Sequence, residues 1–284
     1  MKIYNCFPGG KFKALTMSYD DGKLEDRRLV DIFNRNGIRG TFNLNGGKLG
    51  YPDTVTAEEL NTLYAGHEIA THTLTHPTIA RCPIVSVAAE ILEDRKRLEA
   101  ITGSPVRGHA YPNGSYSDEI IALFRSLGIA YGRITSPTYN SQGQLNDPMR
   151  LQAPFSFAMP ADPMCWLPTC HHNAPNLMEL GRRLVESKRR VSLQLMYVWG
   201  HGYEFSRHDN WHVIEEFCAT VGGKDDIWYA TNIEIIDYME VLKRLQYTCD
   251  CTKVYNPSAR SAWLEVNDCK IVEVPGGTLV DLTK

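Results

Sequence analysis

The chain has 284 residues, 43% of them hydrophobic and 22% charged, which is ordinary for a globular protein able to bury a large core as one α/β domain. A formal net charge of −3 gives no electrostatic reason to expect nucleic acid or an anionic membrane as partner. No apolar stretch approaches the roughly 18 residues that a transmembrane helix needs. The N-terminus lacks the apolar core and cleavage site of a signal peptide, so we expect a cytoplasmic protein.

Strand and helix patterns alternate from residue 14 to residue 246. The predicted strands are 14–18, 39–44, 68–71, 106–111, 129–134, 191–199 and 227–231, and the predicted helices are 25–36, 57–65, 84–101, 117–127, 176–189, 210–221 and 232–246. This order implies parallel strands with crossover helices, as a barrel or a doubly wound sheet. Polar residues past the ends of several strands favour the barrel, and no Gly-rich phosphate loop follows the first strand.

Two segments depart from the alternation. Residues 135–175 are rich in Pro, Ser, Asn and Met, and they predict a long loop. Residues 249–284 contain short alternating strands, separated by turn residues, and they predict a small β-rich appendage. We therefore expect a catalytic domain at 1–248, with about seven parallel strands, and an appendage at 249–284.

Two pairs of polar residues follow predicted strands. Asp20 and Asp21 end the first apolar run, and His72 and His76 follow the run at 68–71. Adjacent carboxylates at the mouth of a strand repel each other and lose hydration, which is costly unless a cation or a proton compensates. One Asp and two His form a ligand set that leaves positions open on a divalent metal. The pattern therefore indicates hydrolysis.

The motifs around these residues resemble those of the polysaccharide deacetylases, also called the NodB-homology family or carbohydrate esterase family 4. Ser18-Tyr-Asp-Asp-Gly22 resembles the family's Thr-Phe-Asp-Asp-Gly, and Gly66-His-Glu-Ile-Ala-Thr-His72-Thr-Leu-Thr-His76 resembles its Gly-His-Glu-Ile-Gly-Ser-His-Ser-x-x-His. The resemblance covers roughly residues 12–245. It implies a distorted (β/α) barrel, in agreement with the alternation of elements.

The resemblance also implies metal-assisted removal of an acetyl group from an N-acetylated sugar. Asp21, His72 and His76 would bind one divalent metal, zinc first, with cobalt, manganese or nickel left open. Asp20 would be the general base, and His201, after the strand at 191–199, the general acid. The other histidines near late strands rank lower as the acid: His171, His172, His208 and His212.

The third motif departs from the family's Arg-Pro-Pro-Tyr-Gly, because this chain has Ala110-Tyr111-Pro112-Asn113-Gly114. The Arg that contacts the base is therefore absent, and Arg133, at the end of the next strand, is the candidate for the missing charge. Asn113 would present its backbone N–H to the oxyanion, with Tyr111 beside it. Trp199, Tyr203 and Trp166 are candidates for stacking on a sugar face, although core packing is the more common role for any one of them.

Several cysteines and histidines outside these motifs also bear on possible metal sites. The spacings of Cys165-x4-Cys170-His171-His172 and of Cys249-Asp-Cys251 match no common zinc module, so we expect reduced, structural thiols. His67-Glu68 lacks the second histidine of a zincin helix, so we expect a structural His67. The altered third motif keeps two alternatives open, an amidohydrolase for small non-sugar amides and a non-catalytic carbohydrate-binding protein. The sequence specifies neither the sugar nor the oligomeric state.

Overall fold

The computed structural model describes residues 1–135, 159–188 and 192–284. The strands in chain order are β1 (Ile3–Cys6), β2 (Lys13–Asp20), β3 (Gly40–Leu44), β4 (Glu68–Thr71), β5 (Gly108–Ala110), β6 (Tyr131–Arg133), β7 (Cys170–His171), β8 (Gln194–Gly200), β9 (Ile227–Tyr229), β10 (Gln246–Tyr247), β11 (Lys253–Tyr255), β12 (Ala262–Val266), β13 (Lys270–Val274) and β14 (Leu279–Asp281). The helices are α1 (Asp26–Arg35), α2 (Leu60–Leu63), α3 (Ile84–Thr102), α4 (Asp118–Ser126), α5 (Leu177–Glu186), α6 (Gly202–His208), α7 (Trp211–Val221) and α8 (Asn232–Arg244). Among these helices, none has the length and apolarity needed to cross a bilayer.

The main sheet has the strand order β6-β5-β4-β3-β2-β8-β7, with every neighbouring pair parallel, and β9 lies along the first half of β2. β2 is buried at all eight of its positions. Its continuous run of apolar and small polar residues suits a strand that has neighbours on both edges and helices against the sheet.

The two edges of this sheet are joined by one extended segment, residues 166–171. Trp166 donates its backbone N–H to Gly132 of β6 at 2.9 Å, and Thr169 donates to Tyr197 of β8 at 2.7 Å. The sheet therefore curls round to form a distorted (β/α) barrel, and the predicted fold class is confirmed.

The helices follow the predicted pattern with small shifts at their ends. In α1 the predicted apolar face, Leu29, Ile32 and Phe33, is buried, and Gly37 adopts a φ of 64° just after the helix. The prediction for 57–65 was too long, because only Leu60–Leu63 forms a helical turn. The sequence analysis missed β1, β7 and α6. Most of the predicted long loop, residues 136–158, lies outside the described residues.

The C-terminal residues form part of two small antiparallel sheets, ordered β1-β12-β13 and β10-β11-β14. The first of these includes the N-terminal strand β1, so the appendage is built from both ends of the chain. Val241, Leu242 and Leu245, in and just after α8, pack into its apolar core. The division at residue 248 stays a prediction.

Candidate active site

The polar residues singled out from the sequence meet at the carboxyl ends of β2, β4, β6 and β8. Asp20 is the last residue of β2, Arg133 the last of β6, and His201 follows β8 directly. Neighbouring parallel strands end at the same edge of a sheet, so residues far apart in the sequence come together there.

Asp21, His72 and His76 form the first cluster, and their ligand atoms all lie within 4.8 Å of one another. Asp21 Oδ1 is 3.7 Å from His76 Nε2 and 3.9 Å from His72 Nε2. Asp21 and His76 both have left-handed backbones, with φ of 76° and 65°, so the two histidines sit on a turn and not on a helix. The three predicted metal ligands are thus brought together.

The environment of His72 suits a metal ligand. Its Nδ1 is 2.7 Å from the carbonyl oxygen of Ala110, so Nδ1 carries the proton and the Nε2 lone pair faces Asp21. Burial lowers the pKa of His72 to about 4 despite the nearby carboxylates, which keeps the ring neutral. Asn45 fixes the loop by donating to the carbonyl oxygens of His72 and Thr73 at 2.6 and 2.9 Å. Two imidazoles and one carboxylate fit a divalent zinc-like ion.

Asp20 is buried beside this cluster and is held on both oxygens. Asn43 donates to its Oδ1 at 2.8 Å, and Arg133 donates to its Oδ2. Burial alone would raise the pKa of Asp20, but the charge and hydrogen bond of Arg133, together with electrostatic interactions with His72 and His201, outweigh burial and lower the pKa to about 2. Asp20 is therefore ionised at any ordinary pH.

Arg133 is fully buried and lies over the ring of Trp199, with its guanidinium carbon 4.5 Å from the ring centre. A buried guanidinium is stable only with a paired anion, which here is Asp20. The structure therefore places a cation against Asp20 although the third motif lacks its arginine.

His201 also lies close to Asp20. Its Nε2 is 3.9 Å from Asp20 Oδ2, and its Nδ1 is 3.6 Å from Oε1 of Glu204 in α6. Burial alone would lower the pKa of His201, but the interaction with Glu204 and the charges of Asp20 and Asp21 raise it overall. The protonated ring is thereby favoured, as a general acid requires.

Glu204 gathers three histidines around one carboxylate. His171 Nε2 and His172 Nε2 lie 3.1 and 2.9 Å from its Oε2, in addition to the contact with His201. These contacts outweigh burial and hold the pKa of Glu204 far below its usual range. A side chain at Gly200 would collide with the ring of His172. The last residue of β8 is therefore a glycine, which leaves room for this ring.

The remaining predicted contacts divide into two groups. Trp199 and Tyr203 border the site, and Tyr203 lines a groove of about 440 Å³ that also includes Asp21 and Arg207. Asn113 is exposed after β5 with a φ of 56°. By contrast, Tyr111 and Trp166 are buried in the core.

The burial of these two rings contradicts the predicted substrate contact for Tyr111 and agrees with the more common packing role for Trp166. The ring of Tyr111 stacks on Phe124, with centres 5.9 Å apart, and Trp166 packs edge-on against Tyr197 at 4.7 Å. Both residues are completely buried, so neither ring can reach a sugar. Both rings fill the barrel interior.

The cysteines and His67 lie outside the candidate metal site. The eight cysteines, all of them within the described residues, form no disulfide, and none belongs to a metal-binding cluster among the described residues. His67 has a structural role, as expected, because its Nδ1 accepts from the backbone N–H of Gly40 at 3.0 Å and its Nε2 contacts Asn34. The sequence analysis missed Asn43 and Glu204. A carboxylate three residues after His201 was the available sign of Glu204.

Comparison with known proteins gives one family. Residues 9–132 match the family model for polysaccharide deacetylase. A chitooligosaccharide deacetylase from Sinorhizobium fredii (strain NBRC 101917 / NGR234) is 33% identical over 120 residues, which are 41% of this chain and 54% of that protein. A chitin deacetylase from Pestalotiopsis sp is 28% identical over 123 residues, 42% of this chain and 39% of that protein. The chain thus spans about half the length of the curated relatives it matches, or less.

Among solved structures, a protein from Mycobacterium smegmatis assigned to the polysaccharide deacetylases aligns with a TM-score of 0.60. The alignment covers 84% of this chain and 93% of the other at 19% identity, which supports the fold. The family match includes Asp20, Asp21, His72 and His76 but ends before Arg133. For Arg133, His201 and Glu204, the family match therefore gives no support, and their place in the site is known only from the distances in this structure.

Proposed function

From the polysaccharide deacetylase domain that residues 9–132 form, we propose that this chain removes N-acetyl groups from an amino-sugar-containing oligo- or polysaccharide. The observation that carries the proposal is the convergence of Asp21, His72 and His76 beside an ionised Asp20, with His201 facing Asp20. A hydrolytic site needs such a base and acid on either side of the scissile bond.

Asp21, His72 and His76 would hold one divalent metal ion, and zinc suits the two imidazoles and one carboxylate best. Cobalt, manganese and nickel accept the same donors, so the donor set alone does not choose among them. When bound, the ion would supply Lewis-acid polarisation of the amide carbonyl and of water.

Asp20 would accept the proton of the attacking water. Arg133 and Asn43 fix its two oxygens in place and keep the carboxylate ionised before the reaction. His201 would then give its proton to the leaving amine nitrogen, while Glu204 holds the far nitrogen of the ring. Water thus supplies the hydroxyl of the released acetate, and the sugar leaves as a free amine.

The substrate would lie across Trp199 and Tyr203, which border the site. The backbone N–H of Asn113 would donate to the oxyanion, as a left-handed residue at the end of β5 can present its amide to the site. The non-catalytic alternative was motivated by the absent arginine, and Arg133 beside Asp20 takes away that motive.

Two substitutions test the separate roles proposed for Asp21, as a metal ligand, and for Asp20, as the base. We expect Asp21→Ala to lose both bound metal and acetate release, because one of three donors is gone. We expect Asp20→Asn to keep full metal occupancy and lose roughly 10²–10⁴-fold in kcat, the usual contribution of a general base. Metal is measured by elemental analysis, and acetate release is measured on N-acetylglucosamine oligomers and on small amides.

His208→Ala serves as the control, because this histidine is exposed and outside the site. Full metal occupancy in Asp21→Ala, or near-normal turnover in Asp20→Asn, would contradict the assigned roles. Acetate release from small amides alone would favour the amidohydrolase alternative.

A further inference from the structure

A second group of metal-ligating side chains lies next to the first. His171, His201 and Glu204 offer donor atoms that all lie within 4.8 Å of one another. His171 Nε2 is 3.1 Å from Glu204 Oε2, and His201 Nδ1 is 3.6 Å from Glu204 Oε1. Two bonds of the usual zinc length, at a tetrahedral angle, separate their ligand atoms by about 3.4 Å. These spacings are as close to that value as those of the first cluster.

The group is open to solvent and has support behind it. The side chains of His171, His201 and Glu204 are 28%, 20% and 18% exposed, so an ion can enter from outside. His172 is completely buried, and its Nε2 lies 2.9 Å from Glu204 Oε2. A histidine in that position can donate to a ligating carboxylate and fix its orientation, as partners behind metal ligands commonly do.

We propose that His171, His201 and Glu204 form a second zinc site, and that zinc bound there inhibits the enzyme. His201 connects the two functions, because its Nε2 faces Asp20 while its Nδ1 faces Glu204. Zinc at Nδ1 takes the lone pair that must be protonated in the imidazolium form. The ring then keeps only the proton on Nε2, which is a much weaker acid than the imidazolium, so His201 gives its proton to the leaving amine far less readily. The inhibition rests on the proposed function, whereas the zinc site itself does not.

The second site is expected to bind more weakly than the first. The backbone N–H of Asn173 donates to Nδ1 of His171 at 3.2 Å, so that nitrogen is now an acceptor. Zinc at Nε2 requires the ring to carry its proton on Nδ1, which displaces this contact. His72 in the first cluster already has its proton on Nδ1, facing the carbonyl of Ala110, and pays no such cost.

The binding test uses untagged full-length protein dialysed against increasing zinc, with bound zinc measured by elemental analysis. We expect two equivalents on the wild type, one tight and one weak. His171→Ala should keep only the tight equivalent and His76→Ala should lose it, while the exposed His208→Ala should keep both. Thermal unfolding by circular dichroism checks that each variant is folded. Saturation of the wild type at one equivalent, or two equivalents on folded His171→Ala, would overturn the second site.

The activity test compares each protein with itself at stoichiometric and at excess zinc. Acetate release by the wild type should fall roughly 10²-fold as the weak equivalent binds, about what a general acid contributes. The same excess of zinc should change acetate release by His171→Ala less than about two-fold. Without His171 the site has lost a ligand, and the imidazole of His201 alone holds zinc poorly. An uninhibited wild type that binds two equivalents would overturn the inhibition. Absence of acetate release at every zinc concentration would count against the proposed function, and the binding test would still decide the zinc site.

Discussion

Asp20 and Asp21 are adjacent in sequence but have different partners. Asp20 ends a strand with its oxygens on Asn43 and Arg133. Asp21 has a φ of 76°, which turns its carboxylate toward His72 and His76. Left-handed backbone is costly for most residues, although Asp tolerates it better. One left-handed residue therefore lets two neighbouring carboxylates face different partners.

Glu204 is expected to set the pH range of activity through His201. Burial favours the neutral ring, and the contact with Glu204 is the largest opposing effect, so the pKa of His201 is raised. Activity that needs the protonated ring is lost as pH rises through that pKa. Glu204→Gln removes the negative charge and lowers the pKa of His201, so the alkaline loss of kcat should begin at lower pH.

The measurement is the pH profile of acetate release for the wild type and Glu204→Gln, at stoichiometric zinc so that the proposed second site stays empty. Glu179→Gln, a substitution at an exposed position of α5 outside the site, controls for loss of a carboxylate. If Glu204→Gln lowers the rate at every pH but loses activity over the same alkaline range as the wild type, Glu204 does not set the pKa of His201.

The residues of the site differ in how far the sequence reveals them. Asp20, Asp21, His72 and His76 lie in short local motifs, which any reading of the chain can find. Asn43 sits inside a predicted strand, where its only sign is a polar residue in an apolar run. Its contact with Asp20 depends on the register between β2 and β3, which no local pattern specifies.

At the scale of elements, β4 serves two purposes at its two ends. Its last residue is followed by His72, while its first residue, Glu68, is buried at the opposite end of the barrel. Glu68 accepts from Thr41 Oγ1, Tyr131 Oη and the backbone N–H of Ile233 at 2.9, 2.8 and 2.8 Å. The same short strand thus positions the site and joins β3, β6 and α8.

Glu68 is expected to make stability depend on pH. Burial raises its pKa from 4.5 to about 7, although the three donors oppose the shift. Between these two values the folded state binds more protons than the unfolded state, so stability falls as pH rises across that window. The shift corresponds to about 3 kcal/mol.

Glu68→Gln should flatten this dependence, since an amide keeps the shape and the Tyr131 hydroxyl can turn to accept from it. Urea unfolding at several pH values between 4.5 and 8 measures the slope. An equally steep slope in Glu68→Gln would mean that other groups cause it. Glu240→Gln, a partly exposed position in α8, is the matched control.

The elements that the sequence predicted are those with a local period. Helix α3 keeps Val87, Ile91 and Leu98 on one buried face and matches its prediction within a residue. Helix α6 was missed because its sequence, Gly-Tyr-Glu-Phe-Ser-Arg-His, has no apolar period over its seven residues. Strand β1 was missed because its partner is β12, more than 250 residues away.

At the scale of the whole molecule, the two ends of the chain are tied to the barrel through α8. Tyr238 in α8 donates its hydroxyl to the carbonyl of Cys6 at 2.6 Å and accepts from the backbone N–H of Trp263 at 3.1 Å. One buried side chain therefore connects β12, the last residue of β1 and the barrel. The contacts argue that 249–284 supports the barrel instead of folding apart from it.

Removal of residues 249–284 is expected to destabilise the barrel. The deletion leaves β1 without its partner and returns Val241 and Leu242 to water, and each large apolar side chain so exposed costs about 1.5–3 kcal/mol. For a chain of this size we expect Tm to fall by at least about 5 °C. Tyr238→Phe, which removes the hydroxyl and keeps the packing, should cost about 1 kcal/mol. Calorimetry measures the Tm of the truncated chain and of Tyr238→Phe. An unchanged Tm in the truncated chain would mean that the appendage is an independent unit.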